Sequence, residues 1–190
     1  KLGREITLNG TSKLPMFMFV YPGVKLGPRK SYVLDILSSI IGGGESSYLH
    51  ANYVSNGKPL LSGISASNMT LQKAGVFLLS GTAKDIGSLA NFKKKFFSDF
   101  KNLCDLGLTE RNLQKTKNQL LLGHYREISS NAGLSTFLGM RESLLGDYLL
   151  YKEEFATYQS IQLSELKNDC RELFKPNGHI FLSLWEGYAK

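Results

Sequence analysis

Hydrophobic positions along this chain switch between a spacing of two and a spacing of three to four, and the switches mark out its elements. Pro15 to Tyr21 (PMFMFVY) is a compact apolar run closed by Pro22-Gly23, which predicts a buried strand and a turn. Arg4 to Leu8 alternates weakly and predicts a short edge strand. Pro28 suits a helix first turn. Beyond it Tyr32, Val33, Ile36, Leu37, Ile40 and Ile41 recur at helical spacing and run into the triplet Gly42-Gly43-Gly44. Such a triplet lets a chain leave a helix through positive φ at little steric cost. Ser46 or Ser47 then caps a second helix that reaches about Ser55, where Asn56-Gly57 and Pro59 stop it.

Two strand-like runs follow, Leu61 to Met69 and Gly75 to Ala83, joined by a polar link around Gln72-Lys73. Ile64 and Ala66 alternate with Ser65 and Ser67, so the pair predicts a half-buried hairpin. Helices are expected at about 85–105, 110–128 and 131–146, with Asp85 and Thr109 as N-caps and Gly107 as a stop. A shorter helix over 149–158 precedes one capped by Ser164 and ended by Pro176, and His179 to Trp185 closes the chain as a strand. The fold class is therefore α+β, an α/β two-layer sandwich whose largely antiparallel sheet carries helices on one face. The whole chain, residues 1–190, reads as one domain.

Composition changes this picture little. Apolar content of 42% and charged content of 21% are ordinary for a globular chain. The longest apolar run is far too short to span a bilayer, so no membrane partner is expected. Lys1 stands where a Met would open a complete protein, and no signal-peptide pattern follows it. The chain reads as part of a longer polypeptide, which leaves its localisation open. Net charge of +7 raises nucleic acid as a partner, with Lys93-Lys94-Lys95 as the densest cluster. Those lysines alternate with the apolar stripe Leu89, Phe92, Phe96, Phe100 and Leu103, so a solvated helix face is the better account. Cys104 and Cys170, 66 residues apart on apolar sides of helical patterns, read as small core residues.

Candidate chemistry is sparse. His50, His124 and His179 form no H-E-x-x-H or H-x-x-E-H pattern, and neither His50 nor His179 has a carboxylate at ligand spacing. His124 shares a helical face with Leu113, Leu120 and Ile128, where a hydrogen-bonded core histidine is expected. Ser46 and Ser47 lack the far glycine of a nucleophile elbow. Glu153 and Glu154 are adjacent on a helix and point apart, which argues against paired acid–base work. No catalytic, cofactor-binding or metal-binding residue is assigned.

The ordered set of motifs resembles the second, non-catalytic half of the pitrilysin/insulinase-type zinc peptidases, the group that includes the mitochondrial processing peptidase. Ile41-Gly42-Gly43-Gly44-Glu45-Ser46-Ser47-Tyr48-Leu49 is similar to the family's L-G-G-G-x-S-S-x-L. Leu106-Gly107-Leu108-Thr109-Glu110-Arg111-Asn112-Leu113 is similar to its G-[LV]-T-x-x-E-L helix start, and Gly146-Asp147-Tyr148 and Leu163-Ser164-Glu165-Leu166 follow in order. The resemblance implies a domain that packs against a homologous metal-bearing domain or subunit, encloses a peptide substrate and leaves zinc to the H-x-x-E-H half. Pairing of two chains as a dimer is one form this takes. Many members place an Arg and a Tyr after the S-S-x-L helix against the reacting peptide bond. The matching positions here are about Val54 and Leu61, and neither side chain donates a hydrogen bond. Two alternatives stay open: a scaffold subunit of a wholly inactive assembly, and a nucleic-acid-binding domain.

Overall fold

A computed structural model describes residues 1–186, with Tyr151 and Lys152 described by backbone alone. Five strands, β1 (Arg4–Asn9), β2 (Met16–Pro22), β3 (Leu61–Thr70), β4 (Gly75–Ala83) and β5 (Ile180–Trp185), form one sheet in the order β1-β5-β2-β4-β3. β1 runs parallel to β5, and the other neighbours are antiparallel. The predicted hairpin is β3–β4, and the weakly alternating N-terminal run is an edge strand.

The helices are α1 (Arg29–Gly42), α2 (Tyr48–Tyr53), α3 (Ile86–Asn102), α4 (Glu110–Glu127), α5 (Asn131–Leu145), α6 (Tyr151–Ser160) and α7 (Leu163–Leu173). Among the described residues no helix is long and apolar enough to cross a membrane. Asp85 and Thr109 cap α3 and α4 by accepting from the backbone N–H groups of Ser88 and Asn112. The cap of α7 falls two residues before the expected Ser164: Gln162 takes that place, and Glu165 accepts from its N–H at 3.0 Å. α3 also stops short of residue 105, because the chain widens into a π-turn over Leu103–Gly107.

The core lies between the sheet and the helices. β2 alternates strictly, sending Phe17, Phe19 and Tyr21 inward and Met16, Met18 and Val20 to the other face. Phe19 is fully buried among Phe17, Tyr21, Phe92, Phe96, Phe97, His179 and Phe181, with ring separations that favour tilted and edge contacts. In the lysine cluster Lys94 and Lys95 are exposed, as expected of a solvated helix face, and Lys93 is half-buried. Lys93 pairs with Glu5 at 2.7 Å and lies 4.2 Å over the Phe181 ring, and Lys95 lies over Tyr53.

The cysteines correct the sequence reading. Cys104 and Cys170 are joined by a disulfide, Cα to Cα 5.7 Å, that ties the π-turn to α7. Both are fully buried, so their apolar setting was legible while their bond was not. The glycines of the triplet do not all answer to one requirement. A Cβ at Gly42 would strike the backbone nitrogen of Ala66, so Gly42 lets α1 lie directly on β3. Gly44, with φ of +94°, is the residue that turns the chain.

Candidate functional site

The sheet has one covered face and one bare face, and strand register assigns each residue to a side. Leu8, Leu184, Met16, Thr82 and Gly63 form one cross-strand row of the bare face, and Ile6, Leu182, Met18, Ser80 and Ser65 form the next. Leu and Met side chains stand on β1, β5 and β2, whereas β4 and β3 carry Ser, Thr and Gly. A step in height results. The Gly63 Cβ position opens onto free space, so nothing fills the low side. The step encloses a concave hollow of about 510 Å³ bounded by Met16, Met18, Leu182, Leu184, Ser65 and Ser80. Met16 and Leu8 are each 48% exposed, a large apolar presentation for side chains with a core available next door. The Ser65 and Ser80 hydroxyls lie 3.1 Å apart across the hairpin, so one donates to the other while the second keeps its own proton to donate.

The residues singled out in the sequence lie elsewhere. Leu61 is buried in the core at the start of β3, and Val54, at the C-terminal end of α2, packs against the same core. Neither presents a donor. Ser47 occupies the N-cap position of α2, yet its side chain makes no capping bond and its buried Oγ has no partner. Ser46 Oγ instead accepts from Lys115 Nζ at 3.1 Å. His50 Nδ1 lies 3.1 Å from Ser55 Oγ. His179 is buried against Phe19, Tyr21 and Phe97, and His124 packs on Phe137, Phe155 and Tyr158. The expected core hydrogen bond of His124 is not made: its buried Nδ1 has no partner, and Glu127 stands 4.0 Å away. Burial holds both imidazoles below their ordinary pKa. Among the described residues no three His, Cys, Asp or Glu side chains gather as a cation cage.

Sequence reasoning missed a buried polar network between α1 and the later helices. Asp35 accepts from Tyr158 Oη at 2.8 Å and from Asn68 Nδ2 at 2.9 Å. Burial pushes its carboxyl up from the usual range, while those two hydrogen bonds pull the other way. Glu154, only 5% exposed, binds Arg141 Nη2 at 2.7 Å and accepts a long bond from Tyr32 Oη. Glu153 is exposed, so the adjacent acids do point apart. Asp35 sits inside the apolar stripe of α1, and that misplaced charge was the available signal. The network joins α1 to β3, α5 and α6 and so braces the layers.

The model of the peptidase M16 inactive domain matches residues 1–120. The chain belongs to that family. No curated protein sequence matches it. Among solved structures, a protease from Helicobacter pylori superposes with a TM-score of 0.80 at 19% identity, over 95% of this chain and 44% of that one. A peptidase M16 inactive domain from Pseudomonas fluorescens gives 0.80 at 16% identity, over 98% and 44%. The periplasmic protease PqqL of Escherichia coli gives 0.76 at 9% identity, over 98% and 21%. At these identities the likeness is one of fold. This M16 inactive domain spans less than half the length of those chains.

Proposed function

We propose that this M16 inactive domain forms one wall of a peptide-enclosing chamber, with its bare sheet face turned inward and a homologous H-x-x-E-H half opposite. The observation that carries the reading is the asymmetry of the sheet. One face is sealed by helices over an aromatic core, and the other presents a concave, uncharged surface with no covering element among the described residues. The wall encloses and aligns a peptide; water activation and proton transfer belong to the zinc-bearing half. Val54 and Leu61, as apolar core residues, leave oxyanion stabilisation to that half as well. Among the described residues no cluster of side chains offers zinc a ligand set, so the metal chemistry is assigned to the other half.

The test is reconstitution. The purified chain is titrated into the H-x-x-E-H half from the same organism, with cleavage of a quenched fluorescent peptide as readout. Cleavage that rises with added chain to saturation supports the wall. Zinc bound at one ion per copy of this chain, or chelator-sensitive cleavage by the chain alone, overturns it.

A further inference from the structure

The hollow on the bare face also has a chemistry. None of the residues lining it is ionisable, in a chain that carries 23 Lys and Arg and 16 Asp and Glu. Across the two rows that frame it, from Ile6 and Leu8 to Gly63 and Ser65, every position is apolar, hydroxylic or glycine. Charged residues enter only beyond these rows, Arg4 at the outer edge on one side and Lys84 and Glu186 past the strand ends on the other. A carboxylate or ammonium group placed in the hollow would lose water and gain no counter-ion.

We propose that the hollow binds a short, extended, uncharged apolar segment of the peptide. This rests on the chamber reading and names the substrate class that this wall selects. Three features commit it to that occupant. The volume of 510 Å³ falls within the usual span of ligand pockets, roughly 300–1,000 Å³, and takes a few side chains rather than a packed helix. The high side is built from Met16, Met18, Leu182 and Leu184, and unbranched methionines repack around apolar side chains of different shape. The low side offers the hydroxyls of Ser65, Ser80 and Thr82, which accept and donate toward a neutral peptide backbone. Selection by this wall is therefore broad in side-chain shape and narrow in charge.

The experiment uses the purified chain and three dye-labelled twelve-residue peptides of equal length: one neutral and Leu/Ser-rich, one bearing four lysines, one bearing four glutamates. Fluorescence anisotropy near physiological salt should give the neutral peptide about tenfold tighter binding than either charged one. The acidic peptide is the stringent control, because the net charge of +7 attracts it without any help from the hollow. Met18→Asp should weaken the neutral peptide by about tenfold at a temperature where the variant is shown to be folded. Equal binding of all three peptides, or tighter binding of the acidic one, overturns the substrate class. Concentration-dependent dimerisation in sedimentation that Met18→Asp abolishes also overturns it, and assigns the face to a second copy. A neutral-peptide preference together with failure of reconstitution leaves the substrate class standing and defeats the chamber reading alone.

The disulfide carries a second inference independently. We infer that this domain matures in an oxidising compartment, a periplasm or secretory lumen. The two cysteines are the only ones in the chain, are fully buried and are bonded across 66 residues. Such structural pairs persist where thiols are not kept reduced. Forming the bond passes two electrons and two protons from the thiols to the disulfide of a thiol oxidoreductase. Protein taken from its native source under acid quench, unfolded without reductant and exposed to an alkylating reagent, should take up no label. Two labels per chain would overturn this.

Discussion

Met18 and Phe19 are neighbours in the chain and belong to different worlds. Phe19 lies fully buried against rings from β2, β5 and α3. Met18, on the bare face, pairs across the strands with Ser80 and Leu182 and touches the hollow. The covered face spends its side chains on cohesion, so its shape is dictated by packing density. The bare face is free of that duty, yet it retains apolar groups rather than the charged residues of an ordinary solvated sheet face. A surface that is apolar without being needed for the core is apolar for contact with something else.

The sharpest way to break this comparison is a pair of truncations. Phe19→Ala should cost about 5 kcal/mol in urea unfolding, while Met18→Ala should cost about 1 kcal/mol or less. Comparable losses would show that both faces hold the fold. Next in size is the disulfide. Replacing Cys104 and Cys170 together with Ser releases a 66-residue loop and should cost about 4 kcal/mol by chain entropy, with a melting point lowered by roughly 10 °C. The peptide preference of the bare face should survive that change at a temperature where the variant stays folded.

The glycine corner gives a smaller, graded test. Gly42→Ala drives a methyl into the Ala66 backbone and should cost about 2–3 kcal/mol. Gly44→Ala meets open space and strains only its left-handed backbone, so about 1 kcal/mol is expected. Equal costs would mean that α1 does not rest on β3 as described. The pH dependence comes next. His124 and His179 titrate below 6.5 when folded and return to about 6.5 when unfolded. Their contribution is full above pH 6.5 and is lost as pH falls toward the folded values, by at most about 1.4 kcal/mol per pH unit for each. Asp35 acts in the opposite sense, since burial raises its carboxyl and acid relieves the cost. His179→Phe should flatten the fall between pH 7 and 5.5 measured by denaturant titration; an unchanged slope would contradict the burial assignment.

What the sequence reveals follows the same division. Period-two and period-3.6 patterns come from burial, so the strands, the hairpin and the long helices were legible from Pro15 to Trp185. Family motifs were legible too, because Gly42 and Gly44 answer to backbone geometry rather than to chemistry. Beside the Asp35 network, three features were not. The Cys104–Cys170 bond depends on a π-turn that brings residue 104 to α7, and no local spacing encodes it. The Gln162 cap of α7 hid behind a more typical capping residue two positions later. The hollow was the hardest to see. It arises from cross-strand placement of Gly63, Ser65 and Ser80 beside Met16 and Met18, which only register can supply.

The central claim is that the bare face serves the peptide and not the fold. Met18→Asp tests it most directly in the reconstituted pair with the H-x-x-E-H half. The account predicts a variant that stays folded, destabilised by about 1–2 kcal/mol, with kcat/KM for a neutral apolar peptide lowered about tenfold below its melting transition. An unchanged kcat/KM in the folded variant would contradict it.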